Sequence, residues 1–149
     1  MNNPVVVDTD VISLVFKGDT RATRYLPVLD APDLLVSFMT EAELERWIRQ
    51  SNWGPERVLR FRSYMARFIS IPSSRDLIVQ WASVMVGARS VGRRIEVADA
   101  WVASTALLYD ATLLTNNVAD YAGPRVYDWA DHWFACFAGN RPIASMSWS

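Results

Sequence analysis

The sequence holds one cysteine, one histidine and one lysine in 149 residues. The single cysteine, Cys136, excludes an internal disulfide and any cysteine-based zinc cluster. The single histidine, His132, leaves little for His-centred metal or triad chemistry. Long apolar runs are missing too, and none approaches the roughly 20 residues that a membrane span needs. The opening MNNPVVVD has no basic segment leading into an apolar stretch, so it does not read as a secretory signal. The expectation is a soluble protein of the reducing cytoplasm with no membrane partner. Net charge is nearly absent as well, with 15 basic residues against 16 acidic ones. That excludes a polycation held to nucleic acid by bulk charge. With 51% hydrophobic and 21% charged residues, wholesale disorder is excluded. What remains is a chain of single-domain length with a core of its own. Its cations are fourteen arginines beside Lys17, a bias that fits either genome composition or bidentate phosphate contacts.

The apolar pattern alternates between short runs and helical spacing. Pro4 to Val7 reads as a buried strand ending at Asp8. Helical spacing follows through Val11, Ile12, Val15 and Phe16, with Gly18 as a stop. A short helix is expected over 20–29 and a strand over 33–38. Thr40 and Glu43 have the T-x-x-E spacing of a capping box, predicting a helix from Thr40 to about Gln50. Pro55 suits a first helical position. Further expectations are a strand at 69–71, helices over 74–90 (with Gly92 as its stop) and 96–109, and a strand at 111–114. A helical turn at 116–121 and a strand at 125–127 complete the order. Strands alternating with helices predict a parallel sheet covered on both faces, with ligands outside the carboxyl ends of its strands.

Four acids fall at such junctions: Asp8, Glu43, Asp99 and Asp120. Together they would repel, unless a hard cation neutralises them; oxygen-only ligands select Mg²⁺ or Mn²⁺. Such a site activates water for phosphodiester hydrolysis and needs no covalent protein nucleophile. Each acid also has a purely structural reading, as a helix cap, a dipole partner or a turn residue. Spacing alone leaves both open.

The stretches VVVDTDVISLVF, VSFMTEAELERW, IEVADAWVASTALLYDATLLTNN and NNVADY resemble, in order, the blocks of the PIN-domain family. Within it they resemble the VapC-like toxins of bacterial toxin–antitoxin modules. The resemblance spans roughly residues 4–121. It implies an α/β fold, a three-layer αβα sandwich with a mainly parallel central sheet, as a nuclease domain over 1–130. It leaves a tail over 131–149, expected to pack on that domain or at an interface. It also implies an Mg²⁺- or Mn²⁺-dependent endoribonuclease acting on RNA (structured RNA such as tRNA or rRNA), a homodimer, and a cognate antitoxin protein. Carried over by motif, Asp8, Glu43, Asp99 and Asp120 are the metal-binding and catalytic acids. Thr115 and Asn117, and more weakly Ser13, are expected to orient ligands or phosphate from behind. Asp10 stands where many relatives have Asn, and Asp10 and Glu96 are expected to be peripheral.

Arg57 and Arg60 on one helix, and Arg93 and Arg94 just before Asp99, are candidate RNA contacts, against the alternative of a solvated helix face. Two rival readings share the same residues. The D-T-D-V-I opening resembles the D-x-D motif of haloacid-dehalogenase-type phosphatases, with Asp8 as nucleophile and Asp10 as acid/base. The other rival is a non-catalytic module with the same fold.

Overall fold

The computed structural model describes residues 4–90, 92, 94–117, 132–138 and 141–148, the last two spans as backbone strands only. In chain order, β1 (Val5–Val7) leads into α1 (Thr9–Lys17). A 3-10 helix (Thr20–Tyr25) then runs directly into α2 (Leu26–Leu29). There follow β2 (Leu34–Ser37), α3 (Phe38–Ser51), α4 (Pro55–Met65), β3 (Ile69–Ile71) and α5 (Arg75–Ser90). The chain continues through α6 (Val97–Leu108), β4 (Thr112–Leu114), β5 (His132–Ala138) and β6 (Arg141–Trp148).

Strands β1 to β4 form one parallel sheet in the order β3-β2-β1-β4. In a pleated strand, successive side chains face opposite sides, and here both sides are buried. Val6 and Leu35 join the core under α5 and α6, with Ile71, Val84, Ala103 and Leu113. Val5, Val7, Leu34 and Val36 join the second core, with Val11, Ile12, Leu44 and Phe61 from α1, α3 and α4. Two helical layers therefore enclose the sheet, which is the expected αβα sandwich. The apolar VVV of β1 is explained by burial on both faces.

The punctuation residues act as their chemistry requires. Gly18 closes α1 with φ 69°, a left-handed conformation that costs glycine little. Pro55 opens α4, where its missing N–H has no helical partner to lose. The Ser74 hydroxyl accepts from the Leu77 N–H at 3.1 Å and starts α5.

One boundary differs from expectation. Thr40 is not the cap of α3. Ser37, the last residue of β2, accepts from the Met39 N–H at 3.1 Å, and the helix begins at Phe38. Thr40 is fully buried inside the helix, and Glu43 lies in its second turn.

Two edges bound the parallel sheet. Among the described residues β3 pairs only with β2, and β5 runs beside β4. β5 and β6 pair antiparallel as a separate two-stranded sheet, from His132 opposite Trp148 to Ala138 opposite Arg141. Most of the 116–121 turn and the 125–127 strand lie outside the described residues.

Candidate active site

The carboxyl ends of β1 and β4 meet at Asp8. Its backbone N–H donates to the Leu114 carbonyl at 2.9 Å, tying the two strand ends together. Its side chain then divides its oxygens. Oδ1 accepts from the Thr9 N–H at 2.8 Å and caps α1, while Oδ2 accepts from the Thr115 hydroxyl at 3.0 Å. Both the structural and the chemical reading of this acid are thus physically compatible, because one carboxylate has lone pairs enough for both. Asp8 and Thr115 are buried.

Asp10 is central rather than peripheral. Its Oδ1 accepts from the Val11 N–H at 2.7 Å. Its Oδ2 accepts from the Asn116 N–H at 3.1 Å and lies 3.4 Å from the Thr115 hydroxyl. Thr115 has one proton to donate, so Asp8 and Asp10 compete for it. Burial, and then the charge on Asp8, push the Asp10 carboxyl up to about 7, against the hydrogen bonds from Asn116, Val11 and Thr115. Two carboxylates crowded in this way need a proton or a cation between them.

Glu43 joins from α3. Its Oε1 accepts from the Thr9 hydroxyl at 2.9 Å, and that hydroxyl also approaches the Thr40 hydroxyl at 3.2 Å. Glu43 therefore reaches across to α1 instead of closing a capping box on its own helix. Thr9 sits between Asp8 and Asp10 in sequence, so one dipeptide step links all three acids.

The remaining expected residues are distributed as follows. Asp99 lies half-buried in the first turn of α6, a helix joined to the start of α3 by Phe38 against Trp101, centroids 5.1 Å apart. Glu96 is the N-cap residue of that helix rather than a residue of its face. The Asn117 N–H donates to the Thr115 hydroxyl oxygen at 3.1 Å. The Ser13 hydroxyl donates to the Asp10 carbonyl at 2.9 Å, a local bond within its own helix. Arg57 lies over Trp53, 4.3 Å from the ring centroid, and over Phe16 at 5.8 Å. Arg60 and Arg94 are exposed, while Arg93 and Asp120 lie outside the described residues.

Sequence reasoning missed Tyr25 and Asn116. The Tyr25 hydroxyl donates to Asn116 Oδ1 at 2.6 Å from a fully buried ring, and burial raises its pKa. Asn116 in turn donates its N–H to Asp10, so the loop after β4 is pinned from two sides. Nothing in the spacing of residues 25 and 116 announces this, since they are 91 positions apart. Tyr25→Phe is expected to cost about 1 kcal/mol, the low end for stranding a partly buried acceptor. A urea melt checks it, and an unchanged midpoint would remove the bond from the account.

The donor set is oxygen only. Among the described residues no three His, Cys, Asp or Glu side chains stand together as a ready metal cage. A crowded carboxylate pair with a third acid one hydroxyl away suits a hard dication that retains water, as Mg²⁺ does when it is held by one or two carboxylates. The residues present fit such an ion.

Residues 5–119 match the PIN domain. Over 132 residues the chain is 26% identical to Ribonuclease VapC1 of Haemophilus influenzae (strain R2866), covering 85% of this chain and 96% of that protein. The FitAcB crystal structure from Neisseria gonorrhoeae superposes with a TM-score of 0.67 at 25% identity, over 78% of this chain and 91% of that one. Rickettsia felis VapBC2, solved bound to a DNA fragment from its promoter, gives a TM-score of 0.69 at 20% identity, over 80% and 92%. With the family match covering most of its length and the αβα fold in agreement, the chain belongs to the PIN-domain family.

Proposed function

We propose that the protein is a metal-dependent endoribonuclease, the toxin of a toxin–antitoxin pair. The observation that carries the reading is the carboxylate pair Asp8 and Asp10 sharing the Thr115 hydroxyl at the carboxyl edge of a parallel sheet. Likeness to a curated ribonuclease over nearly its whole length supports RNA as substrate. Likeness to toxin–antitoxin complexes supports a small antitoxin as partner. The homodimer that the family implies belongs to the same reading. The PIN-domain match over 5–119 displaces the haloacid-dehalogenase-type reading of Asp8 and Asp10.

Asp8, Glu43, Asp99 and Asp120 would hold the ion, and Asp10 beside Asp8 adds negative charge for the ion to offset. Bound there, Mg²⁺ or Mn²⁺ supplies charge neutralisation and a water of lowered pKa for attack on a phosphodiester. The chain's own residues do the rest. Asp8 is fixed by two hydrogen bonds, from Thr9 and Thr115, so its carboxylate is oriented in advance. Thr9 ties Glu43 to the same end of α1. Asp10 holds the Asn116 N–H and thereby the loop that presents Asn117 for contact with a phosphate oxygen.

Purified protein incubated with total cellular RNA tests the reading. Cleavage at discrete sites is expected with Mg²⁺, and its abolition with excess EDTA, with recovery when Mg²⁺ is restored. Cleavage that persists in EDTA would overturn the metal assignment. No cleavage of any RNA under either condition would overturn the nuclease.

A further inference from the structure

A groove of about 220 Å³ opens between α1 and α3, starting at the candidate site. Thr9, Ser13 and Lys17 line one wall at four-residue spacing, and Glu43, Arg46 and Gln50 line the other. Both sets follow helical periodicity, so each is one face of its helix. From Thr9 to Lys17 the wall runs about 12 Å, at 1.5 Å rise per residue. Along that length the charge changes sign. The acid Glu43 stands at the inner end and Arg46 one turn along the same wall with Gln50 beyond it, while the facing wall runs from the Thr9 and Ser13 hydroxyls to Lys17.

The two cations are available to a ligand. Among the described residues neither makes a salt bridge, whereas Arg62 is held by Glu45 and Arg21 by Asp19. Both are exposed. Lys17 is nonetheless positioned, because its ammonium lies 5.2 Å from the centroid of the Trp47 ring. Trp47 is itself braced by Trp53, with centroids 4.6 Å apart, and by Phe16 at 6.4 Å. The only lysine of the chain is thus fixed on an aromatic floor at the outer end of a groove that begins at the acids.

We infer that this groove binds the phosphate backbone of single-stranded RNA leading away from the cleavage point, with Lys17 and Arg46 as its phosphate contacts. The inference rests on the ribonuclease reading and names the substrate form for that same site. Grooves lined by cations and floored by aromatic rings are how single strands are tracked. An acidic peptide is the competing occupant. RNA is favoured over it because, on the ribonuclease reading, the acids at the inner end act on a phosphodiester, and a peptide offers none.

The test compares wild type, K17E/R46E and the control R49E, a charge reversal on α3 outside the groove. Folding of each is checked by circular dichroism, and K17Q/R46Q is the milder pair. A fluorescein-labelled 12-mer single-stranded RNA is titrated in EDTA across a salt series, and cleavage is then followed with Mg²⁺. The slope of log K against log salt should shrink by about 0.7 for each cation lost, with binding weakened about tenfold or more. KM should rise with it while kcat holds, and R49E should match wild type. If wild type cuts RNA and the K17E/R46E slope and KM match it, the groove assignment falls alone. A pair that keeps RNA binding but loses binding of a poly-glutamate peptide overturns it in favour of an acidic protein partner. A wild type that cuts no RNA brings down the ribonuclease reading and the groove with it.

Discussion

Replacing Asp8 with Asn is expected to lower RNA cleavage about 1,000-fold or more, since several kcal/mol of charge stabilisation is lost and each 1.36 kcal/mol is a factor of ten. The protein should stay folded. Asn caps a helix as well as Asp does, so the bond from the Thr9 N–H survives. The amide group can donate toward Thr115, whose hydroxyl is then released to donate to Asp10. Removing one of two crowded negative charges also relieves repulsion in the metal-free protein. A fluorogenic RNA assay with Mg²⁺ gives the activity, and a thermal melt followed by circular dichroism gives the fold. Undiminished cleavage by a folded Asp8→Asn protein would sink the assignment of this acid.

The second large effect is on stability. Leu113→Ala is expected to cost about 2–5 kcal/mol, the range for truncating a leucine in a core that cannot close the cavity. At roughly 2–4 °C per kcal/mol for a chain of this size, the midpoint should fall by about 10 °C. Leu113 is fully buried, pairs with Val6 across β1 and β4, and stands two residues before Thr115. The loss should therefore loosen the strand end that carries the site. Leu59→Ala is the comparison, because Leu59 is 68% exposed and its truncation should leave the melt unchanged. Equal shifts for the two would mean that the two-layered core is wrongly drawn around β4.

The architecture was legible because both of its signals are local. VVV before Asp8 and DLLVSF before the next helix read as buried strands, and Gly18 and Pro55 mark helix ends by backbone chemistry alone. The start of α3 was misread for a physical reason. Phe38 and Met39 continue the apolar run of β2, so the strand looked longer, and Thr40 with Glu43 offered a plausible cap three residues late. Ser37 performs two tasks at once, ending a strand and capping a helix, and no spacing rule separates them. The place of Asp8 at the end of β1 was legible from local spacing, but the contacts of Asp10 were not. Its partners Thr115 and Asn116 lie more than 100 residues away, and only the parallel pairing of β1 with β4 brings them together. The pairing of β5 and β6 had an unread signal. Gly139 and Asn140 separate two β-prone runs in the manner of a two-residue hairpin connection.

The outer edge of β3 carries a consequence for how the protein behaves when it is crowded. An unpaired strand edge is a template onto which another chain's strand can add, the first step of aggregation. Among the described residues the template here is three residues long, with Ile69 half-exposed at its start. Pro72 follows at once and has no N–H to offer an incoming strand. Arg67 and Arg75 stand on either side in sequence, one of them directed back to the Leu29 carbonyl at 2.8 Å. Brevity and a proline are thus the protection against self-association along this side. A substitution that lengthened the apolar run past Ile71 would remove it without touching any catalytic group.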